Sequence, residues 1–404
     1  MNHPKFLCNL RFLSLAAIVW LMNSIALAQT ESIAYSFTGG ADGGNPQGGV
    51  ILDSKGTLYG SAESGGANGA GVVFELIPSS SVGWLEHVLY SFNGFVNQKD
   101  GYFPVGGLVF DKKGNLYGTT LGGGTSLQGT AFEIIPLPDG TWTEKVIYNF
   151  PGGTSVGSPQ GMSFAIDGAG NLYGFSVSGC TYGFGCVFEL VAGSTWTLKI
   201  LHSFSGGNDG YEPFGSSLVL DGAGNLYGST TGGGLHDYGV VFKLTPQSDG
   251  TWSEKVLYSF NGLGGVASPT GKLTIDSQGN IYGTAYDAFE LSPDANGIYT
   301  EKDLHFFSGG KDGAEPEAGV TSDSAGNLYG TTYTGGAHRG TVFELSPASN
   351  GTWTEKVLHA FSATGGDGVY PYVFPLSIDG EGHLYGTTST GGSSNYGVVY
   401  EVTP

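Results

Sequence analysis

Aspartates that precede glycine recur between the repeated segments of this chain, and they are the first candidates for chemistry. Carboxylate oxygens are the ligands that Ca²⁺ prefers, and the ion takes about 6–8 of them. If these carboxylates lie around one rim of the molecule, Ca²⁺ is the candidate cation. The alternative is that they only form Asp-Gly turns and bind no ion. Repeats three and five lack the aspartate, so a complete ring is excluded. The candidate metal ligands are Asp42, Asp100, Asp209, Asp312 and Asp367.

A second candidate site centres on Arg339, which follows His338 in a glycine-rich loop. The corresponding loop of the preceding repeat is shorter and holds Tyr286. A short loop beside an arginine predicts a notch, where the planar guanidinium would bind the carboxylate of an acidic sugar while Tyr286 or Tyr333 stacks on the ring. The alternative is a solvated arginine beside a tolerated deletion. His236, in the equivalent loop of another repeat, completes the predicted ligand-binding set.

No arrangement of residues indicates an active site, and we predict no catalytic residues. The sequence lacks a recognisable Ser/His/Asp order, a closely spaced histidine pair and a phosphate-binding loop. One aspartate recurs in every repeat, and we assign it to a turn because its carboxylate can accept turn N–H groups. The members of this set are Asp53, Asp111, Asp167, Asp221, Asp276, Asp323 and Asp379.

These residues are set in a repeat whose clearest stretch is Gly-Asn-Leu-Tyr-Gly-Thr-Thr, complete at 114–120 and 326–332. Variants bring the number of copies to seven, centred on Tyr59, Tyr117, Tyr173, Tyr227, Tyr282, Tyr329 and Tyr385. Each copy carries four short runs with the alternation of β-strands, joined by Asp-Gly, Asn-Gly or similar turns. Tryptophans recur in the fourth run, where packing explains them better than a sugar platform. They are Trp84, Trp142, Trp196, Trp252 and Trp353.

Four antiparallel strands repeated seven times predict an all-β, seven-bladed β-propeller formed by residues 29–404. The seventh repeat lacks its fourth strand, and residues 30–37 match that slot, so the N-terminal strand should close the ring in the last blade. The predicted blades span approximately 46–92, 104–150, 159–204, 213–260, 269–307, 316–361 and 371–402 plus 30–37.

Residues 1–28 have the features of a signal peptide. Lys5 and Arg11 flank the start of the apolar run 12–22, and Ala26-Leu27-Ala28 resembles a cleavage site. We therefore expect export to the periplasm or the extracellular space. The apolar run is too short to span a bilayer, and no later stretch is long enough. An oxidising compartment favours a disulfide between Cys180 and Cys186, which lie in one glycine-rich segment. The formal net charge of −20 excludes a nucleic-acid partner.

The pattern Asp-x-x-Gly-Asn-Leu-Tyr-Gly-Thr-Thr followed by Gly-Thr-Val-Phe-Glu-Leu is clearest at 323–345 and 111–134. It resembles the exported GloVer (Gloeo/Verruco) tandem repeat and, more weakly, NHL-type β-propellers. The resemblance implies export and tandem repetition, and it supplies no catalytic residues to carry over.

Together these observations predict a monomeric binding or interaction scaffold whose ligand is an extracellular glycan or an envelope protein. No cofactor is required, and Ca²⁺ is the candidate ion. The alternative is a carbohydrate-active hydrolase or lyase that uses rim carboxylates, since glycosidic cleavage needs two carboxyl groups roughly 5–10 Å apart. A purely structural surface protein is the third class.

Overall fold

The computed structural model describes residues 30–97, 99–153, 155–157, 159, 162–215, 217–262, 267–371 and 374–404. The predicted signal segment, residues 1–28, lies outside these ranges. The described part contains β-strands and no α-helix, and therefore no helix of a length and apolarity suited to crossing a membrane. Its strands form antiparallel sheets arranged as a ring of seven blades, which confirms the predicted β-propeller.

Each blade has four strands, which we call first to fourth from the innermost to the outermost. In six blades they follow one another in sequence, and the seventh blade takes its fourth strand from the N-terminus. The first strands are β2 (Val50–Leu52), β7 (Val109–Phe110), β12 (Ala165–Ile166), β17 (Val219–Leu220), β21 (Thr274–Ile275), β25 (Val320–Ser322) and β30 (Ser377–Ile378). The second strands are β3 (Leu58–Ala62), β8 (Leu116–Thr119), β13 (Leu172–Ser176), β18 (Leu226–Gly232), β22 (Ile281–Thr284), β26 (Leu328–Thr332) and β31 (Leu384–Gly391).

The third strands are β4 (Val72–Ser79), β10 (Thr130–Pro136), β14 (Cys186–Val191), β19 (Val240–Pro246), β23 (Ala288–Pro293), β27 (Thr341–Pro347) and β32 (Val398–Thr403). The fourth strands are β5 (Gly83–Ser91), β11 (Trp142–Asn149), β15 (Thr197–Ser203), β20 (Trp252–Ser259), β24 (Tyr299–His305), β28 (Trp353–Ala360) and β1 (Thr30–Ser36). Four short strands lie outside this scheme, namely β6 (Gly101–Tyr102), β9 (Gly122–Gly123), β16 (Tyr211–Pro213) and β29 (Gly368–Pro371).

The N-terminal strand β1 closes the ring as predicted. It pairs antiparallel with β32 from Thr30↔Thr403 to Ser36↔Val398, so the first and last segments of the propeller share one sheet. The register shifts between Ile33 and Tyr35, and the fourth strand of every other blade shows a shift at the same slot. The N-terminal segment therefore reproduces the geometry of an ordinary outer strand and leaves β32 without a free edge.

The recurring aspartates hold the turn between the first and second strands, as predicted. Asp111 accepts hydrogen bonds from the backbone N–H groups of Lys113 and Asn115 at 2.8 and 2.9 Å, and from the Tyr117 hydroxyl at 3.3 Å. Gly114 adopts a φ of 87°, which a residue with a side chain would adopt only with strain. The same contacts recur in the other blades.

Aromatic pairs hold neighbouring blades together. The phenylalanine that follows each outer strand is buried and packs on an aromatic residue of the next blade, as Phe37 does on Phe74 with ring centroids 5.1 Å apart. At the opposite end of the outer strand, its tryptophan packs on the repeat tyrosine of the preceding blade. For example, the ring centroids of Trp142 and Tyr59 are 6.2 Å apart. This confirms the packing role of the tryptophans.

Candidate functional site

Exposed aromatic side chains lie on one face of the ring. Because the strands alternate in direction, the loops between second and third strands share a face with the crossings between blades. We call this the loop face, and the opposite one the turn face. The large hydrophobic side chains exposed on the turn face are aliphatic, such as Val82 and Ile298. The exposed aromatic ones all lie at or beside the loop face, namely Phe95, Tyr182, Phe184, Phe214, Tyr238, Tyr286, Phe306 and Tyr396.

The residue before the proline that leads into each innermost strand is unusual on this face. In six blades it holds a positive φ between 51° and 59° although it has a side chain. Glycine fills most other positive-φ positions of the chain. A residue with a side chain at such a position has a strained backbone conformation. The side chains differ from blade to blade, so the repeat fixes the backbone conformation of this slot without requiring one particular side chain. They are Asn45, Phe103, Glu212, Ser268, Glu315 and Tyr370.

A small acidic cavity of about 100 Å³ lies at the shortened loop of the fifth blade. Tyr286 stands at this cavity with 62% of its surface exposed. Burial, and then the charge of Glu315, raise the pKa of Glu317. The Thr270 hydroxyl is buried and has no hydrogen-bond partner within the described part of the chain. We call this cavity the notch; Ser268, Thr270, Ala285, Tyr286, Glu315 and Glu317 line it.

Arg339 does not reach the notch. Its guanidinium donates a hydrogen bond to the Tyr370 hydroxyl and lies 5.2 Å from the centre of that ring, and Tyr333 packs on the same ring. The Arg339 carbonyl accepts the Tyr370 N–H at 3.0 Å, so this loop turns towards the seventh blade and away from the fifth. Arg339 lines a separate cavity of about 440 Å³. The predicted site joining Arg339 to Tyr286 is therefore divided into two, and the half at Tyr286 is acidic.

The two histidines of the predicted binding set lie at exposed loop positions. His338 is exposed next to Arg339 and has a φ of 71°, while His236 is exposed in the loop of the fourth blade. Cys180 and Cys186 form a disulfide within the third-blade loop, with Cα atoms 6.0 Å apart. The two histidines and the disulfide thus lie on the loop face and are not among the residues that line the notch.

The five candidate metal-binding aspartates lie at separate blade junctions. Each accepts hydrogen bonds from the turn that follows an outer strand: Asp209 binds the Ser205 N–H at 2.9 Å, and Asp312 binds the Ser308 N–H at 2.8 Å. Within the described residues, no three of the five come close enough to share one ion. The aspartates therefore stabilise the turns between blades. A Ca²⁺ ion shared by several of them would need carboxylates from different blades.

The sequence itself matches a known repeat family along its whole folded length. The profile of the Gloeobacter/Verrucomicrobia repeat matches residues 22–161, 137–297 and 287–404. The chain belongs to the Gloeobacter/Verrucomicrobia repeat family. No curated protein matches it significantly.

Solved structures resemble this Gloeobacter/Verrucomicrobia repeat protein in fold. The extracellular domain of a putative hybrid two-component system from B. thetaiotaomicron aligns with a TM-score of 0.54 and 14% identity, over 93% of this chain and 41% of that one. This chain thus spans less than half the length of that relative. A gluconolactonase from Xanthomonas campestris aligns at 0.42 and 13%, over 93% and 89% of the two chains. A luciferin-regenerating enzyme aligns at 0.45 and 16%, over 76% and 94%.

Sequence reasoning missed a set of outer-strand glutamates in this repeat protein. The glutamate at the third position of the Trp-x-Glu-Lys run, or of its variants in other blades, has a buried carboxylate oxygen without a hydrogen-bond partner among the described residues. Five of the six face a junction aspartate, as Glu144 faces Asp100, whereas Glu301 faces Asp303. The missed signal was that the third blade lacks both the glutamate, with Leu198 in its place, and the facing aspartate. The set comprises Glu31, Glu86, Glu144, Glu254, Glu301 and Glu355.

Lys272 is the second residue that sequence reasoning missed. It lines the central cavity of the Gloeobacter/Verrucomicrobia repeat ring, about 520 Å³ in volume, in a slot that other blades fill with Gly107, Ser163 or Ser217. Burial lowers the pKa of its ammonium, which forms no ion pair among the described residues. A lowered folded-state pKa means that the charged form, which dominates at neutral pH, is penalised by folding.

Replacing Lys272 with serine is therefore expected to stabilise the protein at pH 7, by on the order of 1 kcal/mol, because a partly buried charge that forms no ion pair is removed. Urea denaturation of the two proteins measures the difference. Lys311→Ser, at an exposed lysine, is the control and should change stability little. A Lys272→Ser protein less stable than the wild type would show that the ammonium has a favourable partner in the channel.

Proposed function

We propose that this protein is a glycan-binding module and that its loop face, centred on the notch, binds neutral sugar residues. The observation that supports this most strongly is the one-sided distribution of exposed aromatic side chains. Aromatic rings combine an apolar surface with a rigid shape and are enriched where proteins bind other molecules. The strained, variable positions on the same face add side chains that the repeat does not require.

The chemistry of the notch favours a neutral sugar over an acidic one. Glu315 and Glu317 would accept hydrogen bonds from sugar hydroxyls, and the unpartnered Thr270 hydroxyl would complete such a contact. Tyr286 would stack on the apolar face of the ring. An acidic sugar would bring a third carboxylate to this cavity, and repulsion between like charges would oppose its binding.

Export remains part of this proposal. The basic start, the apolar run and the small residues of 1–28 support it, and so does the disulfide between Cys180 and Cys186. A monomer in the periplasm or outside the cell would meet polysaccharide directly. An envelope protein is the other partner to which an aromatic face of this kind is suited.

The binding proposal is tested by affinity electrophoresis through gels that contain laminarin, xylan, mannan or alginate. Tyr286→Ala should weaken retention on the preferred neutral polysaccharide about tenfold, the effect of losing on the order of 1.4 kcal/mol of stacking. Ile298→Ala is the matched control, because Ile298 lies in the same blade on the turn face and is also 62% exposed. Equal retention of wild type and Tyr286→Ala, or retention on alginate alone, would refute the proposal.

The carboxylates of the notch also give the enzyme alternative a specific location. Glu315 and Glu317 line one cavity, and burial raises the pKa of Glu317, as a general acid requires. Reducing ends measured after incubation with the retained polysaccharide separate the two functions. Binding without release of reducing ends indicates a binding module, and release that is lost in Glu317→Gln indicates a hydrolase.

A further inference from the structure

The junction between the sixth and seventh blades brings together an imidazole and two carboxylates. Glu31 lies on the closing strand β1, His359 lies on the outer strand β28, and Asp367 lies in the crossing between the two blades. One ligand atom from each lies within 4.8 Å of the others. The His359 Nε2 is 3.2 Å from the Asp367 carboxylate, and both side chains are mostly buried. Within the described residues this is the one group of three potential metal ligands at such distances.

The hydrogen bonds of the junction leave Glu31 unsatisfied. Asp367 accepts the Ser362 N–H at 2.7 Å and faces His359, whereas the Glu31 Oε1 is buried without a partner among the described residues. Burial raises the pKa of Glu31, the His359 charge lowers it and the Asp367 charge raises it. An uncompensated buried carboxylate is unfavourable, and a bound cation would compensate it.

At other blade junctions, the residue equivalent to His359 makes different contacts with the junction aspartate. Where the slot of His359 holds a tyrosine, the hydroxyl donates to the junction aspartate, as Tyr90 does to Asp100 at 2.9 Å. Where it holds His202 or His305, the facing aspartate is at 3.4 or 3.6 Å and the ligand atoms do not form a compact group of three. The compact geometry is therefore particular to the junction that closes the ring.

We propose that Glu31, His359 and Asp367 bind a Zn²⁺ ion that clamps the closing strand to the sixth blade. Imidazole nitrogen with carboxylate oxygens is a ligand set that suits Zn²⁺, whereas Ca²⁺ prefers oxygen ligands alone. The three residues come from β1, β28 and the crossing, so the ion would link the N-terminal strand of the last blade to the sixth blade and to the crossing that leads into the C-terminal strands. A solvent molecule would fill the fourth position.

The clamp is tested on the full chain after EDTA treatment and removal of the chelator. Calorimetric titration with Zn²⁺ should show one ion bound per chain, accompanied by a saturable rise in Tm. Hydrogen exchange in the peptide covering 30–37 should slow on Zn²⁺ addition. Co²⁺ in place of Zn²⁺ should give the absorption bands of a four-coordinate site.

His359→Tyr is the decisive variant, because tyrosine fills this slot at Tyr90, Tyr148 and Tyr258 and is compatible with the fold. It should remain folded and lose the bound Zn²⁺, and Glu31→Gln should weaken binding at least tenfold. His202→Tyr is the matched control and should bind one ion with unchanged affinity. Absence of Zn²⁺ binding by the wild type, undiminished binding by His359→Tyr, or loss of binding in His202→Tyr would each overturn the proposal.

Discussion

Deleting residues 30–37 is expected to lower the free energy of unfolding by about 5 kcal/mol or more and to produce aggregates. The deletion removes β1, which pairs with β32 along its length, and exposes a sheet edge that other chains can join. It also removes Phe37, which is completely buried against Phe74 of the first blade. Loss of a buried phenylalanine alone typically costs about 3–5 kcal/mol, a large part of the total stability of a domain.

Urea denaturation and size-exclusion chromatography measure this effect. The matched control replaces residues 30–37 with a copy of 143–150, Thr-Glu-Lys-Val-Ile-Tyr-Asn-Phe, which occupies the same slot of the second blade. This variant should remain monomeric, with stability within about 2 kcal/mol of the wild type. A synthetic 30–37 peptide added to the deleted protein should restore the transition by strand addition. A deletion that leaves stability unchanged would show that the ring closes without β1.

Stability is expected to fall as the pH rises from about 4.5 to 8. Burial raises the pKa of Glu86, Glu254 and Glu301 to about 7 and that of Glu144 to about 8. A raised folded-state pKa means that the protonated form is favoured by folding. The contribution is therefore complete below the unfolded pKa and is lost as the pH rises through the folded pKa. Most of these side chains are partly solvated, so each contributes well under its full linkage value.

Glu144 gives the sharpest test because it is the most buried of the group. It faces Asp100 and Tyr90 of the first blade, and the Asp100 charge adds to the effect of burial on its pKa. Glu144→Gln should stabilise the protein by on the order of 2 kcal/mol at pH 9 and have little effect at pH 4.5. Urea denaturation at both pH values provides the measurement. Equal effects at the two pH values would show that Glu144 does not change protonation on folding.

Two other groups of side chains limit the acid range. Burial lowers the pKa of His202 and His305, so their contribution is lost as the pH falls through that lowered folded-state pKa. Burial raises the pKa of aspartates such as Asp221 and Asp323, but hydrogen bonds from the turns together outweigh it and lower the pKa, so their contribution is present above about pH 4 and lost below it. Maximal stability should therefore lie at about pH 4.5, between the loss from the turn aspartates at lower pH and the loss from the glutamates at higher pH, and the urea series will locate it.

The architecture was accessible from the sequence because every blade repeats the same local signals. The Asp-x-x-Gly turn recurs in every copy, and the two apolar strands and the Trp-x-Glu strand recur with few departures, so an ambiguous copy can be interpreted from the others. The closing strand was accessible for the same reason, since residues 30–37 carry Tyr35 and Phe37 in their repeat slots. Four additional short strands were not foreseen, because they are two to four residues long and form in crossings and in a glycine-rich loop, where the strand alternation cannot be recognised.

The candidate site was harder to predict from the sequence, because the positions of its side chains depend on the conformations of the loops. Arg339 and Tyr286 belong to adjacent repeats, which suggested one notch, but the Arg339 loop bonds to the seventh blade instead. A glutamate is usually found at the surface, so the residue type gave no sign that Glu144 and its equivalents have a buried carboxylate oxygen. Lys272 was overlooked although it departs from the small residues of its slot, a difference visible in the repeat alignment.

Hydrogen exchange with and without the best-retained neutral polysaccharide tests most directly whether the notch binds glycan. We predict slower exchange in peptides that cover 284–288 and 313–319, which contain Tyr286, Glu315 and Glu317, and unchanged exchange in the peptide that covers 294–298 on the turn face. Tyr286→Ala should require about tenfold more polysaccharide for the same protection, and Ile298→Ala should leave the protection unchanged. Protection on the turn face, or none on the loop face at saturating polysaccharide, would contradict the proposed function.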